Sequence, residues 1–161
     1  MKLSPKNKKK QMNEKYKYNA YEMFKRNFNS KVDLQGWRNG LVRKLPKFNK
    51  LVSADFGCGL GDKTAVLLDS YKKEFKKAYL IDFSSSATKN VIKFFVDKKN
   101  IIVINNDATL ALKEIEDNSI NVALMFGFLH EIADREKFLR ALKYKLAKDF
   151  IILVSDNELY Y

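Results

Sequence analysis

From Leu51 onward the chain is built from five short apolar runs, each separated from the next by an amphipathic segment. The runs read "LVSADF", "AYLIDF", "IIVIN", "INVALMF" and "FIILVS". They are nearly continuous rather than alternating, the pattern of parallel strands covered on both faces. Between them, Ala87, Val91, Phe94 and Phe95 form one helical stripe, and Phe138, Leu142 and Leu146 form another. Strands joined by helices require right-handed crossovers and give an α/β, doubly wound, mainly parallel sheet. At 161 residues the chain holds one domain with a real core and is too short for two.

The charge is divided unevenly. Residues 1–50 carry 15 Lys+Arg against 3 Asp+Glu, whereas residues 51–161 carry 16 of each, so the net +12 sits in the first fifty residues. "KLSPKNKKKQ" offers almost nothing to bury, which predicts a disordered basic arm over residues 1–10. Such an arm suits nucleic acid, an acidic protein or a membrane surface; a solvated tail that aids solubility is the other reading, and a lysine run alone does not choose between them. Met12, Tyr16, Ala20, Phe24 and Phe28 then recur on one helical face. Leu34, Trp37, Leu41 and Leu45 follow at helical spacing, with Asp33 as a cap and Pro46 as a stop, although Gly36 and Gly40 weaken that helix. The expected organisation is a single domain over residues 11–161, with a helical extension at 11–50 and the α/β core at 51–161. No apolar run approaches the length of a membrane span, and no apolar stretch follows the basic start as a secretory signal requires. A cytoplasmic chain without a membrane partner is the expectation. One cysteine and one histidine exclude a disulfide framework and weigh against a His/Cys metal site.

In a doubly wound sheet, ligands bind outside the carboxyl ends of the strands, where strand order reverses. The first strand ends in "ADFGCGLGDKT", with glycines at 57, 59 and 61. Glycine there permits a tight turn and close backbone approach to a ligand; Asp62 and Thr64 are placed to cap the helix that follows. The dinucleotide fingerprint G-x-G-x-x-G sets its last glycine one position later, where this chain has Asp62, and a carboxylate repels a pyrophosphate. The absence of G-K-[ST] weighs against a P-loop. Asp82 ends the second strand, where a carboxylate can accept from both hydroxyls of a ribose. "NND" ends the third, where Asp107 can accept from an adenine amino group. Either aspartate could instead be a helix N-cap. Three such strand ends in order point to a ligand carrying an adenosine and a positive charge.

Together "SADFGCGLGDKT", "AYLIDFSSSA", "IIVINNDAT" and "EDNSINVALMFGFLHEI" resemble the class I S-adenosylmethionine-dependent methyltransferases, a Rossmann-like family, and within it the branch that mostly modifies small molecules. The resemblance covers residues 51–154. It implies S-adenosylmethionine as cofactor and S-adenosylhomocysteine as product. Asp55, Gly57, Gly59 and Gly61 would floor the methionine part, with Cys58 small enough to fit among them and no redox role. Asp82 would hold the ribose, with Phe83 against the adenine. Asp107 and the Ala108 backbone would face the adenine amino edge, and Phe126 and Gly127 would meet the methionine amino group through their backbone.

Three departures stand beside the resemblance. Ile120 and Asn121 occupy the position where the family often opens the fourth strand with aspartate, and "FGFLHE" lacks the prolines of the DNA amino-methyltransferases. The family usually continues past the fifth strand with a helix and a strand hairpin. Either the fold is minimal and ends near that strand, or the chain is truncated, or its apolar edge is covered by a second copy or another subunit, which is the expectation.

Methyl transfer rests mainly on positioning, but a hydroxyl or ammonium acceptor must also lose a proton. His130 is the natural general base, being the only histidine and lying just past the fourth strand; Glu131 is a second candidate. A helix-start residue bonded to nearby backbone is the structural alternative for His130. Tyr16, Tyr18 and Tyr21 either border the substrate on a lid, as the resemblance implies, or pack the apolar face of their own helix. The expected function is methyl transfer to an oxygen or nitrogen nucleophile of a small metabolite or an anionic macromolecule. The alternatives are a cofactor-binding subunit that needs a partner chain for activity, and a dinucleotide oxidoreductase, which the glycine spacing disfavours.

Overall fold

The computed structural model describes residues 42–156 together with Lys6, Asn7, Lys9 and Lys10. The expected helices over residues 11–41, with Tyr16, Tyr18 and Tyr21, lie outside the described residues. Lys6, Asn7, Lys9 and Lys10 are exposed and carry helical backbone, so the arm expected as disordered has local helix where it is described.

Five strands, β1 (Leu51–Phe56), β2 (Phe75–Ile81), β3 (Ile101–Ile104), β4 (Ile120–Phe126) and β5 (Leu146–Ser155), form one sheet in the order β3-β2-β1-β4-β5. Every pairing is parallel. The helices are α1 (Asp62–Ser70), α2 (Ser85–Phe94), α3 (Ala108–Ala111) and α4 (Arg135–Lys143). Winding runs outward from β1 through β2 to β3, then returns to β4 on the other side of β1. The order therefore reverses between β1 and β4, and the crevice at their carboxyl ends is where such sheets take ligands.

Alternate residues of β1 face opposite layers, as a period of two requires. Val52, Ala54 and Phe56 join Ala111, Leu112, Phe138 and Leu142 on the α3/α4 side. Leu51 packs with Val66, Leu67 and Tyr71 on the α1 side, and Ala78 and Leu80 of β2 pack with Val91 of α2. Both faces of the central strands are thus covered, which explains why those strands read as unbroken apolar runs, whereas β5 keeps exposed apolar side chains. Phe56, Phe128 and Phe138 lock the α4 layer, with Phe138 meeting the other two edge-on at centroid distances of 5.1 and 5.3 Å.

Local chemistry sets the helix ends. Ser84 Oγ accepts from the Ala87 N–H to start α2, and Asp134 accepts from the Lys137 N–H to start α4. Arg140 and Lys143 sit in the last turn of α4, where cations oppose the helix dipole. Leu146 belongs to the core with Phe138 and Leu142, as its spacing implies, but it opens β5 rather than extending the helix. The reason is tertiary: the Tyr144 carbonyl accepts from Asn118 N–H, and the Lys145 carbonyl accepts from Ser119 and Ile120 N–H. Those bonds draw the chain alongside β4 before another helical turn can form. In the expected helix ending at Pro46, the described part is a single 3₁₀ turn, Val42–Lys44.

Asn121 has a part that its position in the sequence conceals. Both of its neighbouring strands break register here, β1–β2 between Leu51 and Val52 and β4–β5 between Ile120 and Val122. Its side chain fills the gap, accepting from Val52 N–H at 3.0 Å and donating to the Asp149 carbonyl at 3.4 Å. β5 is the outer strand on its side, with Phe150 at 48% and Val154 at 51% exposure. Among the described residues no helix is long and apolar enough to cross a membrane.

Candidate active site

The loop after β1 is drawn tight by its own backbone. Gly57 and Cys58 N–H groups both donate to the Ile81 carbonyl, at 2.9 and 3.0 Å, and Gly61 N–H donates to the Cys58 carbonyl at 2.8 Å. Gly59 N–H donates to Asp82 Oδ2 at 3.0 Å. A phosphate cradle needs these N–H groups aimed at the ligand. Here four of them point into the protein. Gly57 has φ +71°, and a Cβ there would lie 2.9 Å from Phe128 Cδ2, so glycine is what lets the β1 and β4 loops meet.

Neither expected cap of α1 is one. Gly61 holds the N-cap position without a side-chain bond, Asp62 is the first helical residue, and Thr64 turns inward. The Thr64 hydroxyl donates to Asp55 Oδ2 at 2.8 Å. Asp55 is only 3% exposed. Burial, reinforced by the nearby charges of Asp62 and Asp82 and opposed by the Thr64 hydrogen bond and Lys63, pushes its carboxyl up to about 7. The same burial and the same three carboxylates hold the Cys58 thiol well above its usual range, so it is no thiolate. Electrostatically the floor of the crevice is acidic.

Asp82 lies just beyond β2 and is buried. One oxygen takes the Gly59 N–H and the other takes the Ser84 N–H at 2.8 Å, so the residue joins the glycine loop to the start of α2. Ser84, not Asp82, is the helix cap there. Asn105 Nδ2 donates to the Asp82 carbonyl at 3.0 Å and ties in the end of β3. Phe83 beside it is half-buried. Asp107 is exposed and does cap a helix: its Oδ1 accepts from Thr109 and Leu110 N–H at the start of α3, above buried Ala108. At the end of β4, Lys63 Nζ stands 5.8 Å from the centre of the Phe126 ring. Gly127 is exposed, has φ +59° with open space around its Cβ position, and donates its N–H to the Ser155 carbonyl at 2.7 Å.

His130 sits on the 3₁₀ turn Leu129–Glu131 that follows β4. Its Nδ1 meets Asp156 Oδ1, and its backbone N–H donates to Asp156 Oδ2 at 2.9 Å. Its Nε2 faces Glu131 Oε1 at 3.3 Å. The ring is therefore held by side chains, one of them from the end of β5, and not by nearby backbone. Asp156 is the residue that sequence reasoning missed. The signal was present, since it is an acidic residue at a strand's carboxyl end like Asp82 and Asp107. Among the described residues no group of three His, Cys, Asp or Glu side chains could hold a metal ion.

An all-parallel sheet in this order, with a glycine loop at the switch point and a buried acid after β2, defines a Rossmann-like α/β protein with its ligand crevice at that switch point. A family model described as "Methyltransferase domain" matches residues 54–154, and the chain belongs to that family. No curated protein matches the chain significantly. Solved structures share the fold. A SAM-dependent methyltransferase from Aquifex aeolicus is 20% identical with a TM-score of 0.59, over 68% of this chain and 58% of that one. Precorrin 8w decarboxylase from Methanobacterium thermoautotrophicum is 24% identical with a TM-score of 0.58, over 72% and 59%. Haemonchus contortus phosphoethanolamine N-methyltransferase 1, in complex with phosphoethanolamine and S-adenosylhomocysteine, is 18% identical with a TM-score of 0.66, over 93% and 32%. The chain spans about three fifths of the first two and a third of the last.

Proposed function

We propose that this chain binds S-adenosylmethionine at the β1/β4 switch point and transfers its methyl group to an oxygen or nitrogen nucleophile. The observation that carries the reading is the acidic, inward-bonded glycine loop. Its N–H groups are spent on Ile81, Cys58 and Asp82, and the carboxylates of Asp55, Asp62 and Asp82 gather beneath it. That floor repels a pyrophosphate and attracts a ligand carrying an ammonium and a sulfonium. The donor set therefore fits the cofactor, which when bound supplies an activated methyl group.

Asp55, Gly57, Cys58, Gly59 and Gly61 form the floor under the methionine part, and the Phe126 and Gly127 carbonyls suit its ammonium. Asp82 is set for the ribose and Phe83 for the adenine face, with Asp107 and Ala108 at the adenine edge. Asp107 spends one oxygen, Oδ1, on its cap, and its exposure leaves the carboxylate accessible. His130 Nε2 takes the proton that a hydroxyl or ammonium acceptor loses, with Glu131 beside it. Fold alone does not fix the reaction, since one of the similar structures is a decarboxylase. Titration calorimetry with S-adenosylhomocysteine and with NAD tests the reading. Binding of the first is expected, and tighter binding of NAD would overturn it. A screen with methyl-labelled cofactor against DNA, RNA, protein and metabolite pools then finds the acceptor. Steep weakening of acceptor binding by salt would mark a nucleic acid engaged by the basic first fifty residues.

The exposed apolar side chains of β5 favour a second reading. In it the chain binds cofactor but turns over only with a second copy or another subunit on that edge. Cofactor binding without turnover, restored by adding a partner chain, is its signature.

A further inference from the structure

We infer that Asp156 is the positioning residue that fixes the tautomer of His130, placing the proton on Nδ1 and presenting Nε2 as the acceptor. One carboxylate holds this residue twice, through Oδ2 to the backbone N–H and through Oδ1 to the ring Nδ1. The double hold sets both the place and the rotation of the imidazole, since a ring bonded at Nδ1 to an anchored partner turns Nε2 the opposite way. An ionised carboxylate only accepts hydrogen bonds. Glu131 makes that demand of Nε2 from 3.3 Å, whereas Asp156 is also held by the His130 backbone N–H, so the single proton of the neutral ring goes to Nδ1. That is how an aspartate orients a histidine base without taking part in the proton transfer itself.

Glu131 faces Nε2 at 3.3 Å, from a side chain 33% exposed against 17% for Asp156. It is the more exposed of the two carboxylates. Arg135 approaches the same turn but donates its Nε–H to the Leu129 carbonyl. The arrangement also explains the contact between two strand ends. β4 supplies the histidine turn and β5 supplies its orienter, and the two strands are paired up to Phe126 and Ser155. The clamp forms only when β5 has docked in register.

Asp156→Asn makes the inference testable, because it keeps the shape and changes the ring-facing atom. The amide oxygen is required by the backbone N–H of His130, which leaves the amide NH₂ facing Nδ1. A donor there forces the proton to Nε2, where Glu131 accepts it. With one histidine in the chain, a long-range proton–nitrogen correlation spectrum of untagged protein shows a single imidazole. Recorded where the ring is neutral, the wild type is expected as the Nδ1–H form and Asp156→Asn as the Nε2–H form. Glu131→Gln is expected to keep the wild-type form, and the backbone amide spectrum reports that each variant is folded. The same tautomer in wild type and Asp156→Asn would overturn the inference, as would a flip produced by Glu131→Gln instead.

Its catalytic consequence rests on the proposed role of His130 as base, and the two fail separately. A flipped ring in Asp156→Asn with full methyl transfer by His130→Gln supports the positioning and removes the base. An unflipped ring removes the positioning whatever His130→Gln does.

Discussion

Asp55 gives the site a pH-dependent stability that can be worked from the structure. Its carboxyl is lifted from 3.8 to about 7, chiefly by burial. Between those values the folded protein holds a proton that the unfolded chain has released, so the folded state binds more protons and stability falls as pH rises. The loss begins near pH 4 and is complete above pH 7. At about 1.36 kcal/mol per pH unit, it amounts to roughly 4 kcal/mol. Asp55→Asn keeps the size and an oxygen for the Thr64 hydroxyl but cannot ionise. Urea unfolding of wild type and Asp55→Asn from pH 5 to pH 9 reads the difference directly, because every other titrating group cancels. The variant is expected to gain on the wild type as pH rises, ending about 2–3 kcal/mol more stable at pH 8 than the comparison at pH 5 implies. A difference that stays constant across the range would refute the argument, and one that shrinks with pH would reverse its sign. The reason to keep so costly a carboxylate lies in the proposed ligand, whose positive charge would favour the ionised form.

Three further outcomes follow from particular contacts. Gly57→Ala combines left-handed strain with a clash at Phe128, and is expected to cost about 2–4 kcal/mol in urea unfolding. Gly127→Ala carries only the strain, about 1 kcal/mol, and an inverted order would contradict the packing at Gly57. Asn121→Ala removes the bonds to Val52 and Asp149 and should lower stability by about 1–2 kcal/mol; a neutral result would show that the register breaks hold without it. Asp82→Asn leaves one acceptor oxygen for two N–H donors, so about 1–3 kcal/mol of stability should go. S-adenosylhomocysteine affinity should fall about tenfold or more with it, and intact affinity would reduce Asp82 to a loop clamp.

Much of the site was legible because strand ends are legible. A continuous apolar run marks a covered parallel strand, and the polar residue that stops it lies at the carboxyl end by definition. That logic places Asp82, Asp107 and His130 on one edge of the sheet from the sequence alone, and Asp55 comes with the glycine motif. The same logic could not rank the aspartates. Asp107 proved to cap α3, while Asp82 left the cap to Ser84 and tied the glycine loop, a difference of a few ångströms in where an oxygen points. Thr64 read as a cap and became a partner of Asp55, because whether a side chain reaches its own helix start depends on what the neighbouring strand offers.

What the sequence determined by itself was the periodicity and its consequences: five parallel strands, the helices between them, and a glycine loop at the first crossing. These are local quantities, written in spacing. The tertiary structure alone decided which groups meet across long separations. Leu146 left its helical stripe because β4 offered backbone partners. Asn121 became a register pin because two breaks fell beside it. Asp156 reached His130 across 26 positions because β4 and β5 pair in parallel and end together. Hydrogen bonds of that range have no period in the sequence, since they depend on the docking of whole strands and appear only once those strands are in register.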